Sequence, residues 1–203
     1  MDQELKASLI ETYDRHAKER DKSEIEPWKA EERDYFLNLL KKEQKKFLLE
    51  IGAGPGRDSK FFKDNGLEVI AIDISTEMVK LCKKKGLKAY VMDFYNLKFY
   101  PETFDAVWAL NCLLHVPKKN LPKVLEGIRN VLKPNGLFYM GVYGGPDSEG
   151  VWEDDHYWPQ RFFVFYTDEH IQEVVQEYFE LVYFKTIPTG GEIHFQSLIL
   201  RKK

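Results

Sequence analysis

Four short stretches of the chain carry side chains whose types and spacing suit chemistry. The first, Lys-Phe-Leu-Leu-Glu-Ile-Gly-Ala-Gly-Pro-Gly-Arg-Asp-Ser, occupies residues 46–59. An apolar run, Phe47 to Ile51 broken only by Glu50, leads into glycines at alternate positions 52, 54 and 56. Glycines crowded there let the chain turn sharply and let a ligand approach the main chain. The free N–H groups of the helix start that follows favour an electron-rich ligand group. A dinucleotide loop wants G-x-G-x-x-G. Here the third glycine comes one residue early, Arg57 stands three after Gly54, and Glu50 precedes the first glycine by two. A tight strand-to-helix turn with no ligand is the other use of these residues.

The remaining stretches fall at the ends of predicted strands. Asp73 lies 21 residues after Gly52, close to the interval of about 20 between a glycine loop and a ribose-binding acid. Its carboxylate can accept from both ribose hydroxyls, and such charged hydrogen bonds are worth about 1.5–3 kcal/mol each; a helix N-cap is its alternative role. Ile74 and Met78 beside it are placed to flank an adenine face. Asp93-Phe94 sets an acid next to an aromatic at the following strand end, and Asn111 and His115 follow a fourth strand. His115 is the titratable side chain close to that end. An imidazole there titrates near working pH without tuning, so it reads either as a general base or as a structural histidine at the mouth of a helix. His16, His156, His170 and His194 are scattered without metal-ligand spacing, and no metal is expected.

The elements that must position these groups alternate regularly. Helices are predicted over residues 2–22, with a thin apolar stripe of Leu5, Leu9 and Tyr13, and from Pro27 to about Lys42. They are expected to lie over the ligand pocket or to pack on the sheet; Tyr13 and Trp28 are the candidates to close over a bound ligand. A strand at 47–51 is followed by a helix at 57–65 stopped by Gly66, a strand at 67–72, a helix at 75–85 and a strand at 88–92. Then come a strand at 104–110, a helix at 118–133, a Pro134-Asn135-Gly136 turn and a strand at 137–142. Strand–helix alternation implies a parallel sheet with right-handed crossovers. After a helix at 168–178, segments 180–187 and 192–200 are joined by only Pro188-Thr189-Gly190-Gly191, so they pair antiparallel. In an open sheet of this kind ligands bind beyond the C-terminal strand ends, where the strand order reverses.

Composition narrows the class. The 203 residues, 43% hydrophobic and 31% charged, suit one soluble domain with a substantial core. Its expected parts are an N-terminal helical cap (1–44), a ligand-binding core (45–145) and a substrate-side loop, helix and hairpin (146–203). A net charge of −3 argues against a sequence-blind nucleic-acid binder. No apolar run of about 18 residues suggests a membrane span. The polar N-terminus lacks the apolar core of a signal peptide. Two cysteines, Cys82 and Cys112, form neither a disulfide framework nor a metal spacing, which fits a reducing, cytoplasmic setting.

The acid followed by G-x-G-x-G, the acids at strand ends, and "FDAVWA…LLHV" leading to "VLKPNGLFYMGVY" together resemble the class I S-adenosylmethionine (SAM) methyltransferases over roughly residues 45–145. The resemblance implies an α/β fold, a doubly wound, mostly parallel seven-stranded sheet with a C-terminal antiparallel hairpin, with the N-terminal helices as a cap. It implies that Glu50, Gly52, Ala53, Gly54 and Arg57 line the methionine half of SAM. Asp73 and Ile74 would take the ribose, Asp93 and Phe94 the adenine, and Leu110 and Asn111 would lie beside the methyl-bearing sulfonium. The family pattern assigns no general base.

On the acceptor side, residues 144–166 interleave acids with Trp152, Tyr157, Trp158 and other aromatics. In the family this insertion often forms a wall of the substrate site, which would suit a cationic acceptor; a loop that packs its aromatics on the core and leaves its acids in water is the alternative. Arg161 is placed to pair with these acids. The expected activity is methyl transfer from SAM to a small-molecule acceptor by in-line displacement, in a monomer or homodimer. The alternatives are a protein or RNA acceptor and a non-catalytic SAM-binding protein. The base-methylating Asn/Asp-Pro-Pro-Tyr/Phe run is replaced by Leu-Asn-Cys-Leu, which counts against a base-flipping enzyme. A nicotinamide oxidoreductase is disfavoured by Arg57 in place of glycine and by Glu50.

Overall fold

The computed structural model describes residues 3–203. Met1 and Asp2, the latter the first residue of the expected N-terminal helix, lie outside the described residues. Seven strands form one sheet in the order β3-β2-β1-β4-β5-β9-β8. They are β1 (Phe47–Ile51), β2 (Glu68–Asp73), β3 (Lys88–Val91), β4 (Phe104–Leu110), β5 (Leu132–Gly144), β8 (Glu180–Pro188) and β9 (His194–Arg201). The pairs β1–β2, β2–β3, β1–β4 and β4–β5 are parallel, whereas β9 runs antiparallel to both β5 and β8. Both the parallel core and the terminal hairpin match the expected layout. The order reverses at β1, flanked by β2 and β4, so a crevice opens beyond their C-terminal ends.

Alternation along the strands sends neighbouring residues to opposite faces. On one face Leu48, Trp108 and Tyr139 pack with Phe36, Leu37 and Leu40 of α2 (Pro27–Lys42) and Phe62 of α3 (Arg57–Asp64). There Trp108 stacks on Tyr139 with ring centroids 3.9 Å apart. On the same side α4 (Thr76–Lys84) covers Ala71 and Ala89 with Val79 and Cys82. On the other face Leu49, Val107, Phe138 and Leu198 meet α5 (Leu121–Val131) and α6 (Asp168–Gln176). Five α5 side chains, Leu121, Val124, Leu125, Ile128 and Val131, are buried, each burial being worth about 1.5–3 kcal/mol. These layers hold the strand ends rigid, which is what a site built there requires.

The two N-terminal helices divide their roles. α2 packs on the sheet through its apolar face. α1 (Gln3–Lys22) buries only Leu9, Thr12 and Ala17 and lies across the open strand ends, tied down by polar bonds. Its Asp14 accepts from Ser75 Oγ at 2.5 Å and from Glu77 N at 3.1 Å.

Three local expectations change. The Pro134–Gly136 turn lies inside β5, which starts at Leu132 by pairing with Phe104; the register shifts between Phe104 and Ala106 to absorb it. The helix expected from residue 118 begins at Leu121, with Pro122 in its first turn and a single 3₁₀ turn, Lys118–Asn120, before it. Residues 144–166 hold a two-stranded antiparallel ribbon, β6 (Ser148–Val151) with β7 (Phe162–Phe165). Burial of Phe163 and Val164 against the main core anchors this ribbon, a tertiary effect that the interleaved acids conceal in the sequence.

Candidate functional site

The glycine loop and Asp73 form one hydrogen-bonded unit. Gly52, Gly54 and Gly56 all have positive φ, at 66°, 53° and 80°, which strains any side chain-bearing residue. Their surroundings differ. A Cβ on Gly52 would sit 2.3 Å from Cys112 Cβ, whereas one on Gly54 would meet nothing within 4 Å. Gly52 therefore serves the close approach of two backbones, and Gly54 keeps the crevice open. Asp73, at the end of β2, accepts from Gly54 N at 2.8 Å and from Ser75 N at 2.9 Å. Each oxygen takes one protein donor and retains lone-pair capacity toward the crevice. Burial raises the Asp73 pKa, against the pull of these two N–H groups and of Arg20. Ser75, not Asp73, is the N-cap of α4.

Beside the loop, Glu50 is buried and accepts from Ser59 Oγ. Burial, and then the charge of Asp58, pushes its pKa well above the carboxylate range. Asp58 in turn is held by Arg33 at 2.8 Å and by Trp108 Nε1 at 3.2 Å. Arg57 turns its guanidinium to the carbonyls of Arg20 and Ser23, tying α3 to the end of α1. Glu50, Gly52, Ala53, Gly54 and Arg57 line one cavity of about 300 Å³. Ile74 and Phe94 join Asp73 in a second, narrow cavity of about 60 Å³ roofed by Leu9 and Tyr13 of α1. Leu110 and Asn111 border both. Asn111 has a φ of 55°, and its Oδ1 is buried without a hydrogen-bond partner among the described residues.

Two residues assigned to the adenine end sit differently. Met78 is fully buried on the inward face of α4 and is not among the residues lining the cavity; Met92 and Leu9 supply the apolar wall instead. Asp93 lines an outer groove, where its carboxylate accepts from Lys6 Nζ at 2.6 Å and from Tyr95 N at 2.9 Å.

His115 stands at the partition between the narrow cavity and a third one of about 540 Å³. Its Nδ1 lies 2.6 Å from Phe162 O and its Nε2 lies 2.6 Å from Tyr13 Oη. A carbonyl only accepts, so Nδ1 carries the proton. Burial, reinforced by the charges of Arg161 and Arg20, lowers the pKa from 6.5 to about 3. The ring is thus neutral, and Nε2 accepts the Tyr13 O–H. Burial raises the Tyr13 pKa in spite of Arg161 and Arg20, so the phenol keeps its proton. Arg161 Nη1 donates to Tyr13 Oη at 3.3 Å, completing a chain from α1 through the 3₁₀ turn Leu113–His115 after β4 to the 144–166 segment.

Tyr157, Trp152 and Arg161 line the third cavity with Tyr143 and Phe163. Arg161 forks onto Asp155, Nε to Oδ2 at 2.7 Å and Nη2 to Oδ1 at 2.8 Å. Against the burial that would raise it, these bonds hold Asp155 down to about 2. The Arg161 guanidinium lies 4.4 Å from the Tyr157 ring centre and 5.0 Å from that of Phe163. Tyr157, Phe163 and Asp155 are therefore engaged by a resident cation, whereas Trp152 and Asp154 line the same cavity. Trp28 packs on Phe195 at 4.4 Å, and Trp158 is 64% exposed; neither lines the three cavities, because α2 faces the sheet and the 155–161 turn points Trp158 outward. Arg20, Cys112 and Lys29 line cavities and were not singled out from sequence. For Arg20 a signal existed: it lies seven residues after Tyr13, on the same helix face.

A family model described as a methyltransferase domain matches residues 49–140. An uncharacterized protein of Methanocaldococcus jannaschii is 36% identical over 46% of this chain and 43% of its own. The ubiquinone biosynthesis O-methyltransferase of Xanthomonas oryzae pv. oryzae is 29% identical over 47% of this chain and 42% of its own. The matches thus span less than half the length of these curated relatives. Among solved structures, a Burkholderia thailandensis 1,6-didemethyltoxoflavin-N1-methyltransferase, bound to 1,6-didemethyltoxoflavin and S-adenosylhomocysteine, superposes with a TM-score of 0.76. It is 21% identical, with 98% of this chain and 89% of that one covered; the likeness is one of fold.

Proposed function

We propose that this protein, whose residues 49–140 match a methyltransferase-domain family model, is a class I SAM-dependent enzyme that transfers the SAM methyl group to a small-molecule acceptor. The observation that carries this reading is the junction of three cavities around Asn111 and Arg20, one wide enough for an acceptor and two bordered by the glycine loop, the narrower of them also by Asp73.

The residues present fit SAM. Gly54 leaves open space where a methyl would otherwise stand, Asp73 retains acceptor capacity, and Asn111 Oδ1 is a buried acceptor awaiting a donor. Asp73 would hold the ribose hydroxyls, Ile74, Phe94 and Met92 would enclose the adenine, and the loop with Ala53 and Asn111 would hold the amino-acid end. The group supplies a methyl already activated by a sulfonium, so a strong base is optional. What the chain contributes is orientation, worth roughly 7–11 kcal/mol of barrier lowering, and exclusion of water by α1. His115, with its depressed pKa, is assigned a positioning role: it fixes Tyr13 at the wall shared by the adenosine and acceptor sides. Approach from the 540 Å³ side suits in-line displacement.

In this reading residues 1–44 cap the site, 45–145 hold the cofactor and 146–203 complete the acceptor wall. A cytoplasmic setting and a monomer or homodimer complete the proposal, in keeping with two free, buried cysteines. No helix among the described residues is long and apolar enough to cross a membrane.

Incubation of purified protein with methyl-labelled SAM and a host-cell extract, followed by separation by size, tests this function. Label in the low-mass fraction is the expected result. Label in protein or RNA refutes the small-molecule acceptor, and no label with SAM binding intact refutes enzyme activity.

A further inference from the structure

Arg20, on the last turns of α1, lines all three cavities at their junction. Its surroundings set it apart from the other cations there. Arg161 is forked on Asp155, Lys29 is paired with Glu26, and Arg57 is spent on backbone carbonyls. Among the described residues no carboxylate lies within ion-pair distance of the Arg20 guanidinium, and its Nε is buried without a hydrogen-bond partner. Its side chain makes one long contact, 3.5 Å from Nη1 to Tyr157 Oη. The guanidinium is nonetheless held in place, 5.3 Å from the Tyr13 ring centre and 5.9 Å from that of Tyr157. Its charge reaches the site: it opposes the rise that burial imposes on the Asp73 pKa and adds to the lowering that burial imposes on that of His115.

A guanidinium offers a planar fork of donors that matches a carboxylate, and a buried donor with no acceptor is unfavourable. Cation–π contacts with Tyr13 and Tyr157 hold the fork at the junction before anything binds, which lowers the entropy cost of using it. The neighbouring acid is not free to serve it, because Asp155 is saturated by Arg161 and by the N–H of residue 161. Building on the proposed function, we propose that Arg20 is the docking point for an anionic oxygen group, a carboxylate, brought into the junction by the amino-acid end of the cofactor or by the acceptor. Where the acceptor brings it, the acceptor cavity presents an anion-receptive corner at Arg20.

Calorimetric titration of wild type, Arg20→Gln and Arg20→Lys with three probes tests this. S-adenosylhomocysteine carries the carboxylate, 5′-methylthioadenosine lacks the amino-acid end, and benzoate is added to S-adenosylhomocysteine-saturated protein as an anionic acceptor probe. The expected result is at least a tenfold loss of S-adenosylhomocysteine affinity in Arg20→Gln, with 5′-methylthioadenosine within twofold of wild type and Arg20→Lys in between. Unchanged S-adenosylhomocysteine binding with a tenfold loss of benzoate binding also supports the site and assigns it to the acceptor. Losses within twofold for both carboxylates overturn the proposal, as does an equal loss for 5′-methylthioadenosine. Should Arg20→Gln fail to fold, wild type decides. No preference for S-adenosylhomocysteine over its decarboxylated analogue, together with none for benzoate over benzamide, overturns it. If wild type binds neither adenosine compound, the proposed function itself fails, and benzoate against benzamide on the free protein then decides Arg20.

Discussion

Gly52 and Gly54 are two residues apart in one loop, both at positive φ, yet the structure predicts opposite consequences for the same substitution. In Gly52→Ala the left-handed backbone costs about 1–2 kcal/mol. The new methyl would fall 2.3 Å from Cys112 Cβ and 3.0 Å from its Sγ. Relief needs the backbone after β4 to move, an overpacking cost of about 1–3 kcal/mol. A stiffer unfolded chain returns about 0.4–1 kcal/mol, leaving about 1–4.6 kcal/mol, a large share of a typical stability of about 5–15 kcal/mol. For a chain of this size that corresponds to a fall in Tm of roughly 2–18 °C. Gly54→Ala meets nothing within 4 Å, so only the backbone term remains and the net cost is about 0–1.5 kcal/mol. Its methyl, however, stands in the crevice, and S-adenosylhomocysteine affinity is expected to fall more than tenfold. Urea unfolding followed by tryptophan fluorescence, with calorimetric binding on the same preparations, reads both quantities. Equal destabilisation by the two substitutions, or a Gly52→Ala cost under about 1 kcal/mol, would refute the assignment of one glycine to packing and the other to the ligand.

Other perturbations address the remaining site. Asp73→Ala removes a charged acceptor worth about 1.5–3 kcal/mol per bond, so S-adenosylhomocysteine binding should weaken roughly 10–100-fold in calorimetry; unchanged binding would exclude the ribose role. The folded-state pKa of His115 is depressed from 6.5 to about 3, so between those values the unfolded chain takes up a proton that the folded one does not. Its contribution is complete above about pH 6.5 and is lost on acidification, at up to roughly 1.4 kcal/mol per pH unit. Urea midpoints measured from pH 7 to 4 should fall less steeply in His115→Asn than in wild type. Asp155→Ala leaves the Arg161 charge without its partner and is expected to cost about 3–5 kcal/mol, visible as a lowered thermal midpoint. A loss below about 1 kcal/mol would mean that solvent, not Asp155, satisfies Arg161.

Much of this protein is legible in one dimension because parts of it obey local rules. Strand–helix alternation, the glycine stop at residue 66 and the short 188–191 linker follow from backbone preference and chain reach, and they determined the sheet with its terminal hairpin. The crevice residues Gly54, Asp73, Ile74, Phe94 and Asn111 were legible for the same reason: each lies at a strand end, a place defined by the element before it. Tertiary structure alone decided the rest. Met78 and Trp28 sit on helices whose rotation about their axes is set by what they pack on, and that packing turned both away from the crevice. The ribbon of β6 and β7 exists because Phe163 and Val164 found a core to bury in, and Arg161 chose Asp155 among several nearby acids by geometry. The pairing of His115 with Tyr13, 102 residues apart in sequence, has no local signature. Hydrogen bonds and ion pairs between distant segments depend on where the folded layers bring side chains together, and only the closed structure specifies that.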